Sequence, residues 1–75
     1  MNFRDEKILK ALGEHLRKTR LNEGFTQEDL AYNSGLSLSQ IARIETGRIN
    51  PTVCTLIIIA QTLKIHPSEL LKFKI

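Results

Sequence analysis

The chain has one cysteine, two prolines, one tyrosine and no tryptophan among its 75 residues. Cys54 alone cannot close an internal disulfide, which excludes a small secreted disulfide scaffold. Long hydrophobic runs are also missing. The longest unbroken one, "LIIIA" at 56–60, has five residues, against the roughly 20 needed to span a bilayer. The start, "MNFRDEKILK", mixes charges of both signs and lacks the apolar stretch of a signal peptide. These absences lead to the expectation of a soluble, cytoplasmic protein with no membrane partner. His15 and His66 are isolated, and neither has Cys54 at ligand spacing, so no metal site is expected. No Ser/His/Asp arrangement, glycine-rich phosphate loop or paired acidic cleft appears, so no cofactor and no enzymatic activity are expected either.

A chain of this length buries about 60% of the surface its unfolded form exposes, enough for one modest core. A single domain over 1–75 is therefore expected. Eleven Lys/Arg against eight Asp/Glu give a net charge of +3 and a pI near 9.4. That balance permits nucleic acid or an acidic partner without selecting either.

The apolar pattern predicts an all-α chain of five short helices, with no strand. A first helix over about 5–22 carries Leu9, Leu12 and Leu16 on one face. Gly13 in its interior costs ~1 kcal/mol against Ala, which suggests that another helix approaches there. Thr26 opens a second helix in "TQEDLAYNS", with acidic residues near the positive end of the helix dipole. Ser37 opens a third in "SLSQIARIET", where Ser37 and Gln40 have the spacing of a capping box. Thr52 opens a fourth after Pro51, and "HPSE" starts a last short one, the two together covering about 52–73. Between the second and third helices lies only "GLS". Two capped helices joined by so tight a turn make a helix-turn-helix over about 26–46. Leu30, Ala31, Leu36, Ile41 and Ile44 would form the apolar wedge between them.

The run "FTQEDLAYNSGLSLSQIARIETGRINPTVCTLIIIAQTLKIHPSELL", residues 25–71, resembles the Cro/phage-repressor (Xre) family of DNA-binding helix-turn-helix domains. In size the chain is similar to the controller proteins of restriction–modification systems. The resemblance implies a compact five-helix bundle that sets its third helix in the major groove of double-stranded DNA, usually as a homodimer on a palindromic site.

The residues of the third helix agree with that reading. Stepping 100° per residue, Ile41, Ile44 and Glu45 face the core, while Ser39 and Arg43 face outward. Arg43 is the candidate base reader, because an arginine can contact guanine O6 and N7 together; the alternative is a phosphate contact. Ser39 can reach a base edge or a phosphate. Leu38 would touch a thymine methyl or pack on the protein. Gln40 would share its capping role with a DNA contact. Thr26 and Gln27, at the start of the second helix, are candidates for phosphate binding, and the resemblance implies that role for Gln27. Thr46 and Arg48 are likewise placed for phosphates, which set register and affinity but not sequence. Arg20 lies within about 40° of Leu9 and Leu16 on a core-facing stripe, and Glu45 lies beside Ile41 and Ile44. An unpaired buried charge costs several kcal/mol, so an Arg20–Glu45 salt bridge is expected, in agreement with the resemblance.

The fourth helix has more apolar residues than one face needs. Val53, Leu56, Ile59, Ala60 and Leu63 define its core stripe, leaving Ile58 about 200° from Leu56 with Ile57 at the edge. A wholly buried helix or a stray exposed isoleucine would explain this, and so would a symmetric interface. The expectation is a homodimer interface at Ile57 and Ile58, with Phe73 or Ile75 at its margin. Function is thus expected to be sequence-specific transcriptional regulation by a dimer on operator DNA. The competing reading is a protein-interaction module of the same fold, an antitoxin or coactivator type whose partner is a toxin or the transcription machinery.

Overall fold

A computed structural model describes residues 4–75. Four α-helices follow one another: α1 (Glu6–Asn22), α2 (Gln27–Ser34), α3 (Leu38–Glu45) and α4 (Val53–Leu63). The fifth helix expected from the sequence is not an α-helix. Pro67–Leu71 forms a 3-10 turn and the chain leaves helical geometry at Lys72. The segment has a single fully buried apolar anchor, Leu70, while Leu71 is exposed. Its turn closes through Glu69 N–H to the His66 carbonyl, an i to i+3 bond. A single anchor in a five-residue segment does not sustain the longer ladder of an α-helix.

Side-chain caps start the helices. Asp5 accepts from the N–H groups of Lys7 and Ile8 at 2.9 and 3.2 Å. Thr26 and Asp29 form a complete capping box at α2, each accepting from the other's backbone N–H. Ser37 accepts from Gln40 N–H at 3.0 Å. The Gln40 side chain makes no return bond to Ser37 among the described residues, so the box expected there is half formed. Thr52 caps α4 by accepting from Thr55 N–H. His66 Nδ1 accepts from Ser68 N–H at the 3-10 turn.

One apolar cluster joins all five elements: Leu16 from α1, Leu30 from α2, Ile41 and Ile44 from α3, Ile59, Ala60 and Leu63 from α4, and Leu70. Full burial of each leucine or isoleucine contributes about 1.5–3 kcal/mol. The stripe on α4 is shorter than its periodicity suggested. Val53 is 71% exposed and Leu56 only half-buried, so full burial begins at Ile59. Helical spacing assigns a residue to a face but does not say how far along the helix that face is covered.

α1 and α3 pack closely through Gly13. A β-carbon there would come within 2.5 Å of the Glu45 carbonyl oxygen and 2.8 Å of its carbonyl carbon. The helix whose approach the glycine permits is therefore α3, at its C-terminal end. None of the described helices is long and apolar enough to cross a membrane.

Candidate nucleic-acid interface

The turn between α2 and α3 depends on Gly35. Its φ of 79° lies in the left-handed region, and its N–H closes α2 onto the Ala31 carbonyl. The chain re-enters helix two residues later at the Ser37 cap. Leu30, Ile41 and Ile44 are buried in the angle between the helices, with Ala31 and Leu36 packed against them. The wedge fixes which side of α3 faces away from the protein.

That outward side carries Leu38, Ser39 and Arg43, all exposed, with Ala42 and Gln40 half-buried at its edges. Leu38 is 45% exposed, so close to half of its surface is open. It and Ala42 are one turn apart, as are Ser39 and Arg43. An apolar strip thus runs beside a polar one along the helix.

Around this face lie the residues expected at phosphates, and the structure distinguishes them. Arg48 follows α3 with its side chain exposed and its N–H on the Arg43 carbonyl at 2.8 Å. Thr46 is exposed, but its hydroxyl donates to the Ala42 carbonyl at 2.9 Å and is engaged in closing α3. Thr26 is exposed and its hydroxyl oxygen is held by Asp29 N–H. The Asp29 carboxylate completes that box, and the bond from the Thr26 backbone, with the Thr26 hydroxyl second, lowers its pKa below the ordinary 3.8. Gln27 is half-buried, and its Nε2 donates to Glu45 Oε1 at 3.0 Å.

Arg20 and Glu45 meet behind the face. Arg20 Nε and Nη2 donate to Glu45 Oε2 and Oε1 at 2.6 and 3.0 Å. The two side chains are 6% and 2% exposed. The remaining nitrogen, Nη1, donates to the Phe25 carbonyl at 2.8 Å. One arginine of α1 thereby holds the end of α3 and the backbone that leads into α2. A two-pronged ion pair with all its partners satisfied fixes orientation more than it adds net stability.

Two features had no signal in the sequence. Arg4, in the segment before α1, donates from Nη2 to the Arg48 carbonyl at 2.6 Å and so braces the loop after α3. The bond from Gln27 to Glu45 joins residues 18 apart that no periodicity relates. Among the described residues no group of three or more His, Cys, Asp or Glu side chains could hold a metal ion.

Residues 16–70 match the helix-turn-helix family HTH_3. The chain belongs to that family, of the Xre/Cro type. Members of this DNA-binding family are transcriptional regulators. The chain is 39% identical over 61 residues to an uncharacterized HTH-type transcriptional regulator, y4dJ, of Sinorhizobium fredii, covering 81% of this chain and 79% of that one. Its fold is similar to the restriction-modification controller protein C.AhdI of Aeromonas hydrophila, with a TM-score of 0.80 and 37% identity over 83% of this chain and 94% of that one. The controller protein C.Esp1396I is similar too, with a TM-score of 0.81 and 32% identity over 91% and 90% of the two chains. A further structure of C.Esp1396I, a tetramer in complex with its natural 35 base-pair operator, has a TM-score of 0.76 and 33% identity over 91% of this chain and all of that one.

Proposed function

We propose that this helix-turn-helix protein is a sequence-specific transcriptional regulator that acts as a homodimer on a palindromic operator. The observation that carries the reading is the outward side of α3, where Leu38, Ser39 and Arg43 are exposed on a helix whose orientation the Arg20–Glu45 pair fixes. Arg43 reads guanine through O6 and N7, and Leu38 contacts a thymine methyl. Ser39 and Gln40 reach neighbouring base edges. Arg48 supplies the main phosphate charge, and Gln27 and Thr26 add hydrogen bonds at the N-terminus of α2, where the helix dipole favours an anion. Thr46 contributes through its backbone position, since its hydroxyl is engaged within α3.

The dimer forms through the apolar side of α4. Ile57 and Ile58 are each 37% exposed, and Val53 lies one turn before Ile57. Ile75 is exposed on the C-terminal tail and completes the margin. Phe73 stays with its own chain, because its ring packs on His15 at 5.8 Å between centroids. The operator-bound assembly of C.Esp1396I supports the combination of oligomer and operator for this chain.

Selection of bound sites from random duplexes tests the whole reading at once. The expected product is an inverted repeat with half-sites about one helical turn apart, ~34–36 Å or 10–10.5 bp centre to centre, or a multiple of it. Recovery of no common sequence, or of single unpaired half-sites from a monomeric protein, would contradict it.

A further inference from the structure

We propose that Glu45 is a positioning residue for DNA: its buried carboxylate fixes the Gln27 amide so that an N–H is available to the phosphate backbone. The proposal rests on the reading of α2's N-terminus as a phosphate contact and goes beyond it. Glu45 Oε1 accepts two bonds, from Arg20 Nη2 and from Gln27 Nε2, both at 3.0 Å. A carboxylate only accepts, so the nitrogen end of the Gln27 amide must face it. The reversed amide would set oxygen against a buried anion. Gln27 Oε1 takes no bond from the described residues, yet every buried side-chain polar atom among them has a partner. The carbonyl end of the amide therefore reaches the surface, and the second N–H of Nε2, which takes no acceptor among the described residues, is the one the proposal assigns to a phosphate oxygen.

The surroundings are equally fixed. Arg20 Nη1 holds the Phe25 carbonyl at 2.8 Å, immediately before the α2 cap. Backbone and side chain at this end of α2 are thus tied to one buried ion pair, which also sets the end of α3. An unrestrained glutamine would lose rotamer freedom on binding DNA, whereas this one is ordered beforehand. The same carboxylate couples the phosphate-contacting end of α2 to the helix that reads bases.

The test uses a random-sequence duplex at low salt, because a phosphate contact does not depend on sequence. Affinities are measured by fluorescence anisotropy for the unmodified protein, Gln27→Ala, Glu45→Gln and the double variant, with folding checked by circular dichroism. Gln27→Ala should weaken binding about tenfold, the loss of one hydrogen bond to a charged group. Glu45→Gln should weaken it severalfold in the unmodified background and add almost nothing to Gln27→Ala. An equal penalty for Glu45→Gln in both backgrounds would overturn the positioning role while leaving the phosphate contact standing. An unchanged affinity for Gln27→Ala would remove the contact and the positioning role together. Should Glu45→Gln fail to fold, hydrogen exchange of the side-chain amides in the unmodified protein decides. The bonded Gln27 N–H should exchange at least about tenfold more slowly than those of exposed Gln61, and equal rates would overturn the proposal.

Discussion

Replacing Gly13 by alanine sets two effects of opposite sign against each other. In an exposed helix interior the change would stabilise by about 1 kcal/mol, because alanine loses less backbone entropy. Here the new methyl would stand 2.5 Å from the Glu45 carbonyl oxygen and 2.8 Å from its carbonyl carbon. Both atoms are backbone and cannot rotate away, so the end of α3 must retreat by roughly 1 Å to reach ordinary contact distance. Overpacking costs typically ~1–3 kcal/mol, and a rigid obstacle places this site at the upper end. The net expectation is a loss of about 2 kcal/mol, or roughly 8–16 °C in Tm for a chain of this size. The displaced residue is Glu45 itself, so the ion pair that orients α3 is disturbed as well, and DNA affinity should fall by more than the stability loss alone explains. Thermal melts followed by circular dichroism, with binding measured well below the transition, read both effects. A Gly13→Ala protein that melts higher than the original and binds DNA equally well would refute the packing argument.

Arg20→Met leaves Glu45 buried without its counter-charge and should cost ~3–5 kcal/mol in denaturant unfolding; a loss below about 1 kcal/mol would mean that the pair is not buried in solution. Full burial of an isoleucine is worth about 1.5–3 kcal/mol, so covering the 37% of Ile58 that remains exposed contributes roughly 0.6–1 kcal/mol on each side of a two-fold axis. Placing a charge there adds a desolvation cost, so Ile58→Glu should stay helical but sediment as a monomer; a persistent dimer would exclude α4 from the interface. The Asp29 pKa is lowered on folding, so its contribution is present above the ordinary value near 3.8 and is lost as pH falls through the lower folded value. The stability gap between the original protein and Asp29→Ala should therefore narrow on acidification from neutral pH to below about 4 in chemical-denaturation series, and a gap that widens would reverse the assigned sign.

What could be read from the sequence was whatever is local. Thr26, Ser37 and Thr52 mark helix starts because a hydroxyl before an apolar period satisfies free N–H groups, and all three cap helices. Gly35 marks the turn because a left-handed residue must close α2 within a three-residue break. Arg20 and Glu45 fall on core-facing stripes in the sequence and meet in the structure. What could not be read was set by tertiary surroundings. Val53 has the spacing of a core residue, but the cover over α4 ends before it reaches Val53. The 3-10 form of Pro67–Leu71 depends on how little of it the core accepts. The amide of Gln27 turns onto Glu45 because α1 and α3 bring a buried carboxylate to the start of α2, and no spacing in the chain encodes that meeting.

In the proposed function the outward side of α3 reads bases, with Arg43 as its principal reader. Parallel selections from one random duplex pool, with the unmodified protein and with Arg43→Ala, test it most directly. The variant should recover the same inverted repeat and spacing but lose preference for guanine at one or two positions in each half-site, at a cost of ~1–3 kcal/mol in affinity. An identical selected sequence from both proteins, guanines included, would contradict it.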